Sequence, residues 1–287
     1  MPKSIPATPR AAALAGALLA ALLAQSPAAR AQAAAESNEI VLGISEGTSG
    51  GTDHARVIAK YGDLAQAIGA AAKQQVRVVF VREFAQLEQG MRSGRLNYVM
   101  ARPSDFPARG IQDYGYHYVA TAKPDGQCML FSRKDSPIKT LAQAKGQRWV
   151  LPEQVSYMAR LCTAELRDRG IAIGSEKVQH VREQAAVKFF LDNKFGDVGA
   201  VASYSGARKD FEKDGATLIH KSIAQPYFPL IANAKVTPAQ IAAIQKALLQ
   251  LKDTESGQAT LQRVGIKEFD VSTEPRLREL LAWLAKK

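Results

Sequence analysis

The chain has 287 residues, of which 46% are hydrophobic and 23% are charged, and this balance excludes an intrinsically disordered protein. Lys and Arg total 38 against 27 Asp and Glu, so the formal net charge is +11, which favours acidic partners without naming them. The two cysteines and four scattered histidines argue against a zinc module. The sequence predicts no metal site and no cofactor.

Residues 1–31 predict a signal peptide. They contain no acidic residue, and two basic residues precede an apolar run from Ala11 to Ala24, followed by a small-residue cleavage pattern. The alternative is a membrane anchor, but 14 weakly hydrophobic residues fall short of the roughly 20 that span a bilayer. We therefore expect cleavage near Ala31 to Ala33 and a mature protein in the periplasm that does not span the membrane.

Export changes the expected partners and the state of the cysteines. Removal of residues 1–31 lowers the formal net charge from +11 to +8, and nucleic acid is not an expected partner of an exported chain without basic runs and interleaved aromatics. In an oxidising compartment the even pair Cys128 and Cys162 favours a disulfide. The alternative is two buried free thiols.

The order of predicted elements indicates two α/β lobes. A strand–helix–strand–helix–strand pattern runs from Ile40 to Ala101, and a similar pattern runs from Cys128 to Ala202, as in parallel sheets covered by helices. After Asn233 we predict three helical stretches and no further strand. We therefore predict a fold in which each lobe is a mostly parallel sheet with flanking helices. The predicted segments are residues 38–122 plus 224–287 for the first lobe and 123–223 for the second.

The two halves share a local pattern. Glu83 begins a predicted helix that leads through a turn into a strand, and Glu183 begins another helix with the same continuation. We interpret this as similarity between two lobes rather than as a repeat array.

The segment Gly47 to Gly51 fits the G-x-S-x-G pattern of α/β-hydrolases, with Ser49 as nucleophile. The pattern follows the first strand of the mature chain, no oxyanion-loop motif precedes it, and no convincing Asp and His partners are evident. A glycine-rich loop that offers backbone N–H groups to an anion, or that turns tightly, is the preferred interpretation.

Polar residues at strand ends and helix starts are the candidate ligand-binding groups. In sheets of this kind the ligand lies at the carboxyl ends of the strands, and an anion gains from helix dipoles and unpaired N–H groups. The candidates are Thr48, Ser49, Arg102, Ser104, Ser156, Tyr157 and Tyr204.

Each candidate also has a purely structural interpretation. Arg102 is a bidentate clamp for an anion, or else a solvated loop charge or the ion-pair partner of Asp105. Ser156 is a ligand contact or a plain N-cap, and Tyr157 and Tyr204 are site residues or ordinary rim or core aromatics.

The chain resembles the phosphate/phosphite/phosphonate family of periplasmic substrate-binding proteins, which are the soluble receptors of ABC importers. The resemblance covers nearly all of the mature sequence, and its first loop also resembles that of the TAXI-type receptors of tripartite transporters. The segments that carry the family resemblance, in order, are Tyr61–Ala65, Val76–Val81, Arg92–Ser104, Ser132–Ala142 and Asp197–Val201.

This resemblance implies a Venus-flytrap fold that closes over a small oxyanion and delivers it to an ABC transporter permease, without enzymatic activity. Ser156 keeps a hydroxyl of the family's helix-opening segment. Glu183 stands at the position of a family histidine, and Phe106 stands at that of an aromatic residue with a phenol oxygen. A carboxylate at Glu183 suits a protonated anion or an amine-bearing ligand. We expect a monomer.

Two alternatives stay open at this point. In the first, the same fold serves a sensor kinase and binds another oxyanion such as arsenite, for which a thiolate of Cys128 or Cys162 is the feature to test. In the second, the protein is a secreted serine hydrolase that uses Ser49.

Overall fold

The structure is a computed structural model that describes residues 40–48 and 53–286. The predicted signal peptide and Ser49 lie outside the described residues. Within the described ranges, none of the helices has the length and hydropathy needed to cross a bilayer.

Strands and helices alternate along most of the described chain. The strands are β1 Ile40–Ser45, β2 Val76–Phe80, β3 Tyr98–Ala101, β4 His117–Gly126, β5 Cys128–Ser132, β6 Arg148–Pro152, β7 Lys177–Val181, β8 Val198–Ala202, β9 Thr217–Lys221, β10 Gln225–Ala232 and β11 Glu268–Asp270. The helices are α1 His54–Ala72, α2 Phe84–Arg92, α3 Asp105–Asp113, α4 Leu141–Ala144, α5 Tyr157–Asp168, α6 Gln184–Asp192, α7 Gly206–Lys213, α8 Pro238–Gln250, α9 Glu255–Val264 and α10 Glu274–Ala285. Short 3₁₀ turns lie at Ile173–Ser175 and Leu251–Asp253.

The first sheet has the strand order β11-β4-β10-β3-β1-β2. β1 is parallel to β2 and to β3, and its side chains Leu42 and Ile44 pack with Tyr61, Leu64 and Ile68 of α1. These apolar residues recur at the spacing of one helical face, which explains why α1 covers this sheet. β4, β10 and β11 pair antiparallel.

The second sheet has the order β7-β6-β8-β5-β9. β6 lies parallel to β7 and β8, whereas β5 is antiparallel to β8 and β9. Trp149 of β6 is fully buried in this lobe. All strands of this sheet lie within the predicted segment 123–223, while the lobe boundaries themselves stay a prediction.

The predicted two-lobed α/β class is confirmed, but two details are wrong. Both sheets are mixed rather than mostly parallel, since β4, β5, β9, β10 and β11 pair antiparallel. A strand, β11, does follow Asn233; its three residues are too short for a periodic pattern. β4 contains Pro124, which lowers the strand signal of its sequence.

The chain crosses between the sheets twice, and the two crossings are hydrogen-bonded to each other. Gln127, between β4 and β5, donates from Nε2 to the Ser222 carbonyl at 2.6 Å. The Cys128 N–H donates to Ser222 Oγ at 2.9 Å. These contacts join the two crossings into one short hinge.

A disulfide links Cys128 of β5 to Cys162 of α5, with a Cα–Cα distance of 5.4 Å. Because the sequence contains only these two cysteines, no thiolate is available. Capture of arsenite by a cysteine thiolate is therefore wrong for this oxidised form.

The C-terminal helix α10 returns to the first lobe and also touches the second. It packs against α3 and β10, while the indole Nε1 of Trp283 donates to Asp168 of α5 at 2.6 Å. Arg167 of α5 donates to the Trp283 carbonyl at 3.2 Å. α10 thus tethers the two lobes away from the hinge.

Candidate functional site

The carboxyl ends of β1 and β3 lie side by side and place an acid next to a base. Ser45 is in register with Ala101, so the residues that follow, Glu46 and Arg102, are neighbours. Arg102 Nε donates to Glu46 Oε2, and the two residues are only 6% and 3% exposed. This buried ion pair forms one wall of the space between the lobes.

Glu46 has further donors. Lys60 Nζ lies 2.7 Å from Oε1, and the Tyr61 hydroxyl donates to the same oxygen. Burial by itself raises the pKa of Glu46, but the charges of Arg102 and Lys60 and the hydrogen bonds of Lys60 and Tyr61 lower it below its ordinary value. Glu46 is therefore a fixed carboxylate, and sequence reasoning missed it although it follows a strand end as Thr48 does.

Aromatic rings enclose the guanidinium of Arg102. Its Cζ lies 5.5, 5.4 and 4.8 Å from the ring centroids of Tyr204, Tyr227 and Phe228, within the range of cation–π attraction. Both structural alternatives for Arg102 are wrong, since the residue is buried and its partner is Glu46 rather than Asp105. Its role as an anion clamp stays a prediction, because Nε is already engaged.

A cavity of about 10 Å³ lies between the lobes, about the space of one water molecule. Five of the predicted residues line it, together with Glu46, Phe84 and Gln184, which sequence reasoning did not select. The predicted residues in this wall are Thr48, Arg102, Ser156, Tyr157 and Tyr204.

The N-terminus of α5 borders this cavity, since Ser156, Tyr157 and Met158 line it. Ser156 is the N-cap, and its hydroxyl accepts from the Ala159 N–H at 3.2 Å. A 12-residue helix concentrates positive potential on the N–H groups of its first turn. Ser156 is thus an N-cap, and this role is compatible with an anion nearby.

Tyr157 contributes a buried hydroxyl that forms no hydrogen bond of normal geometry with the described residues. Burial raises the pKa of this phenol well above its usual range, while the nearby Ser104 hydroxyl acts in the opposite direction. Tyr157 therefore keeps its proton at neutral pH, and its hydroxyl can donate a hydrogen bond to a ligand.

Gln184 connects the two lobes beside the cavity. Its backbone N–H donates to the Thr48 carbonyl at 3.0 Å and its Nε2 donates to Thr48 Oγ1 at 3.2 Å. Its Oε1 accepts from the Ala202 N–H at 2.6 Å. One buried amide thus holds the β1 loop against the end of β8.

Ser104 and Glu183 do not line this cavity. Ser104 is fully buried behind it, and its hydroxyl donates to the Arg102 carbonyl at 3.3 Å. Glu183 lies 3.8 Å from Arg82; burial raises its pKa, and the charges of Arg82 and Arg182 act in the opposite direction.

A second carboxylate, Asp105, lies near enough to Tyr157 for its charge to raise the pKa of that phenol. Asp105 is fully buried and paired with Arg160 and, at 3.8 Å, with Arg109. Burial raises its pKa despite these two cations. Its Oδ1 has no hydrogen-bond partner among the described residues.

The repeated Arg-Glu segments before α2 and α6 pair reciprocally across the lobes. Arg82 lies 3.8 Å from Glu183, and Arg182 lies 2.7 Å from Glu83. The two similar segments noted in the sequence therefore contact each other across the lobes through two ion pairs.

We expect Arg182→Glu to favour the open arrangement of the lobes, because it removes one ion pair and places a third acid beside Glu83 and Glu183. Exposed pairs of this kind contribute up to about 1 kcal/mol. Small-angle X-ray scattering would report a larger radius of gyration. The charge-swapped double variant Glu83→Arg/Arg182→Glu should return it to the starting value; an equally open double variant would contradict this role.

Within residues 40–48 and 53–286, no group of His, Cys, Asp and Glu side chains is arranged to hold a metal ion. The hydrolase hypothesis depends on Ser49, which lies outside the described residues.

A match to a known protein family identifies the chain. Residues 51–275 match the family described as ABC transporter, phosphonate, periplasmic substrate-binding protein. The chain belongs to this family. Its members are transport receptors, which agrees with two mixed sheets joined by a doubly crossed hinge.

Solved structures share this fold at low sequence identity. The Xanthomonas citri protein XAC2383 bound to ATP has a TM-score of 0.70 at 20% identity, and the match covers 86% of this chain and 97% of that one. PhnD1 from Prochlorococcus marinus in complex with methylphosphonate has a TM-score of 0.70 at 11% identity, with the same coverage.

A binding protein component of an ABC phosphonate transporter from Pseudomonas aeruginosa gives a TM-score of 0.64 at 14% identity and covers 86% and 85% of the two chains. At these identities the likeness concerns the fold alone. A search of curated proteins finds no match.

Proposed function

We propose that this protein is an exported receptor that captures a small oxyanion of the phosphate, phosphite or phosphonate class between its lobes and presents it to an ABC importer. The observation that carries the proposal is the N-terminus of α5 in the wall of the cavity between the lobes, beside the hydroxyl of Tyr157, which has no hydrogen-bond partner among the described residues. Membership of the phosphonate receptor family supports it, as does the methylphosphonate held by PhnD1.

The charge around the cavity suits a partly protonated anion. Arg102 is balanced by Glu46, so the positive contribution comes from the helix terminus rather than from a free cation. Asp105 lies near Tyr157 but, like Glu183, does not line the closed cavity. Its Oδ1 has no hydrogen-bond partner among the described residues, and we infer that it becomes an acceptor for the ligand when the lobes separate, the role that sequence reasoning gave to Glu183. A hydrogen phosphonate both accepts and donates hydrogen bonds, which matches this combination.

Binding requires the lobes to separate. The cavity of about 10 Å³ is too small for a phosphonate group, and contacts such as those of Gln184 hold it shut. Rotation about the crossings at Gln127 and Ser222 would open the site, and closure over the anion would follow.

The test is a thermal-shift panel on the mature chain with phosphate, phosphite, methylphosphonate, sulfate, arsenate and dicarboxylates. A ligand at 100 times its Kd adds about 2.7 kcal/mol, or roughly 5–10 °C for a chain of this size. We expect the phosphorus oxyanions to raise the Tm and dicarboxylates to leave it unchanged. A rise with an uncharged solute and none with any anion would contradict the proposal.

A further inference from the structure

A second cavity, far larger than the first, lies on the other side of Arg102 and Tyr204. Its volume is about 1080 Å³, and Glu46, Arg102 and Tyr204 line both cavities. Its remaining wall comes from both lobes, including α1 and the turn after α9 on one side and α7 and β9 on the other. It is large enough for an organic ligand.

The lining of this cavity is strongly basic. Among the described residues, seven Lys and Arg line it against three acids. The acids are already balanced: Glu46 by Arg102, Asp125 by Arg276 at 2.6 Å, and Glu212 by Arg208 at 2.5 Å.

Three lysines are left without a balancing charge. Lys209 of α7, Lys221 of β9 and Lys267, just before β11, form no ion pair with the described part of the chain. They come from both lobes, so their mutual repulsion opposes closure of the empty cavity. A ligand with several negative charges would remove that repulsion.

Two buried polar atoms in the same lining lack partners. Tyr227 is 1% exposed, and its hydroxyl forms no hydrogen bond with the described residues. The same holds for Arg208 Nε. An unsatisfied buried group costs about 1–3 kcal/mol, so a ligand that reached either atom when the lobes separate would gain affinity.

The cavity also has an apolar side suited to a flat ring. The rings of Tyr204 and Tyr227 pack with centroids 4.1 Å apart. Pro124, Met129 and Leu218 also line the cavity, and Leu218 is 44% exposed. An aromatic group of the ligand would lie against Pro124 and Leu218, which are exposed, whereas Met129 and Tyr227 lie behind them at 5% and 1% exposed.

We propose that this second cavity binds an organic phosphate with two or more phosphate groups and a flat ring, a ligand of the nucleoside di- or triphosphate type. The phosphates lie against Lys209, Lys221 and Lys267, and the ring lies against the apolar side. This inference rests on the proposed function only in taking the protein to be a receptor that binds between its lobes.

The experiment is titration calorimetry of the mature chain with ATP, tripolyphosphate, adenosine and inorganic phosphate, without divalent cations. We expect ATP to bind more tightly than tripolyphosphate and adenosine to show no binding. Equal affinity for ATP and tripolyphosphate would overturn the ring site, and no binding of ATP would overturn the proposal.

The decisive variant is Lys209→Glu/Lys221→Glu, with Lys246→Glu as control. All three lysines are exposed, and Lys246 of α8 lines neither cavity. We expect the double variant to weaken ATP binding at least about a hundredfold, since each lost charged contact costs about tenfold, and the control to leave it unchanged. Undiminished binding by the double variant would overturn the assignment.

Tyr227→Phe provides a second readout. It removes an unpartnered hydroxyl, so the Tm of the ligand-free protein should stay the same or rise while ATP affinity falls. Unchanged ATP affinity would remove this hydroxyl from the site.

The small-anion panel separates this inference from the proposed function. If Lys209→Glu/Lys221→Glu loses ATP but keeps the methylphosphonate shift, both hold. If ATP binds and no small oxyanion does, the proposed function fails and the second cavity stands. If methylphosphonate binds and ATP does not, only the further inference fails.

Discussion

Replacing Glu46 with Gln is expected to lower the free energy of unfolding by about 3–5 kcal/mol. The substitution keeps the shape of the side chain but leaves the buried guanidinium of Arg102 without its counter-charge, and it also removes the charge that pairs with Lys60. Chemical denaturation followed by circular dichroism would measure the loss.

Two variants control for this effect. Glu46→Gln/Arg102→Met removes the stranded charge as well and should recover most of the lost stability, as replacement of whole buried pairs often does. Glu268→Gln breaks an exposed pair with Lys252 and should cause no comparable loss. A double variant as unstable as Glu46→Gln would show that the pairing with Arg102 is not the cause.

Ser156→Asp is expected to abolish the binding of small oxyanions. A carboxylate at the N-cap of α5 would face the anion that we propose binds there, and two like charges about 4 Å apart repel by about 4 kcal/mol at an effective dielectric constant of 20. This corresponds to roughly a thousandfold loss of affinity, which a thermal-shift or calorimetric titration with methylphosphonate would detect.

The matched control is Ser156→Asn. Asp and Asn are both good N-caps, so both variants should keep the Tm of the ligand-free protein near that of the parent. Only Asp adds the repelling charge. Retained binding by Ser156→Asp would remove Ser156 from the site, and equal loss in both variants would point to shape rather than charge.

Much of the secondary structure could be predicted from local sequence patterns. The β-branched run of β2 and the cap and helical periodicity of α5 depend on neighbours in sequence, and such patterns predict element type well. Strand direction was harder, because β10 pairs with β3 and β4 only after the chain returns from the second lobe. That return makes the first sheet mixed, and β5, which pairs antiparallel with β8 and β9, makes the second sheet mixed.

Part of the candidate site could be predicted from polar residues at strand ends and helix starts. Thr48, Ser156 and Tyr157 line the same cavity, as the strand-end argument expects. Gln184 was missed because nothing in the local sequence distinguishes its amide from that of an ordinary surface glutamine. Its role becomes visible only in the fold, where it donates a hydrogen bond to Thr48.

By itself, the sequence determined the succession of elements, the two-lobed class, the N-cap of α5 and the segments typical of a phosphonate receptor, since each depends on residues close together in the chain. Only the tertiary structure decided which charged side chains form ion pairs within the protein and which can interact with a ligand. Arg102 meets Glu46 across 56 positions, and Asp105 meets Arg160 across 55. Lys209, Lys221 and Lys267 meet in one cavity. Coulomb interactions depend on the distances between charges. Those distances are set by the fold and cannot be obtained from the order of residues alone.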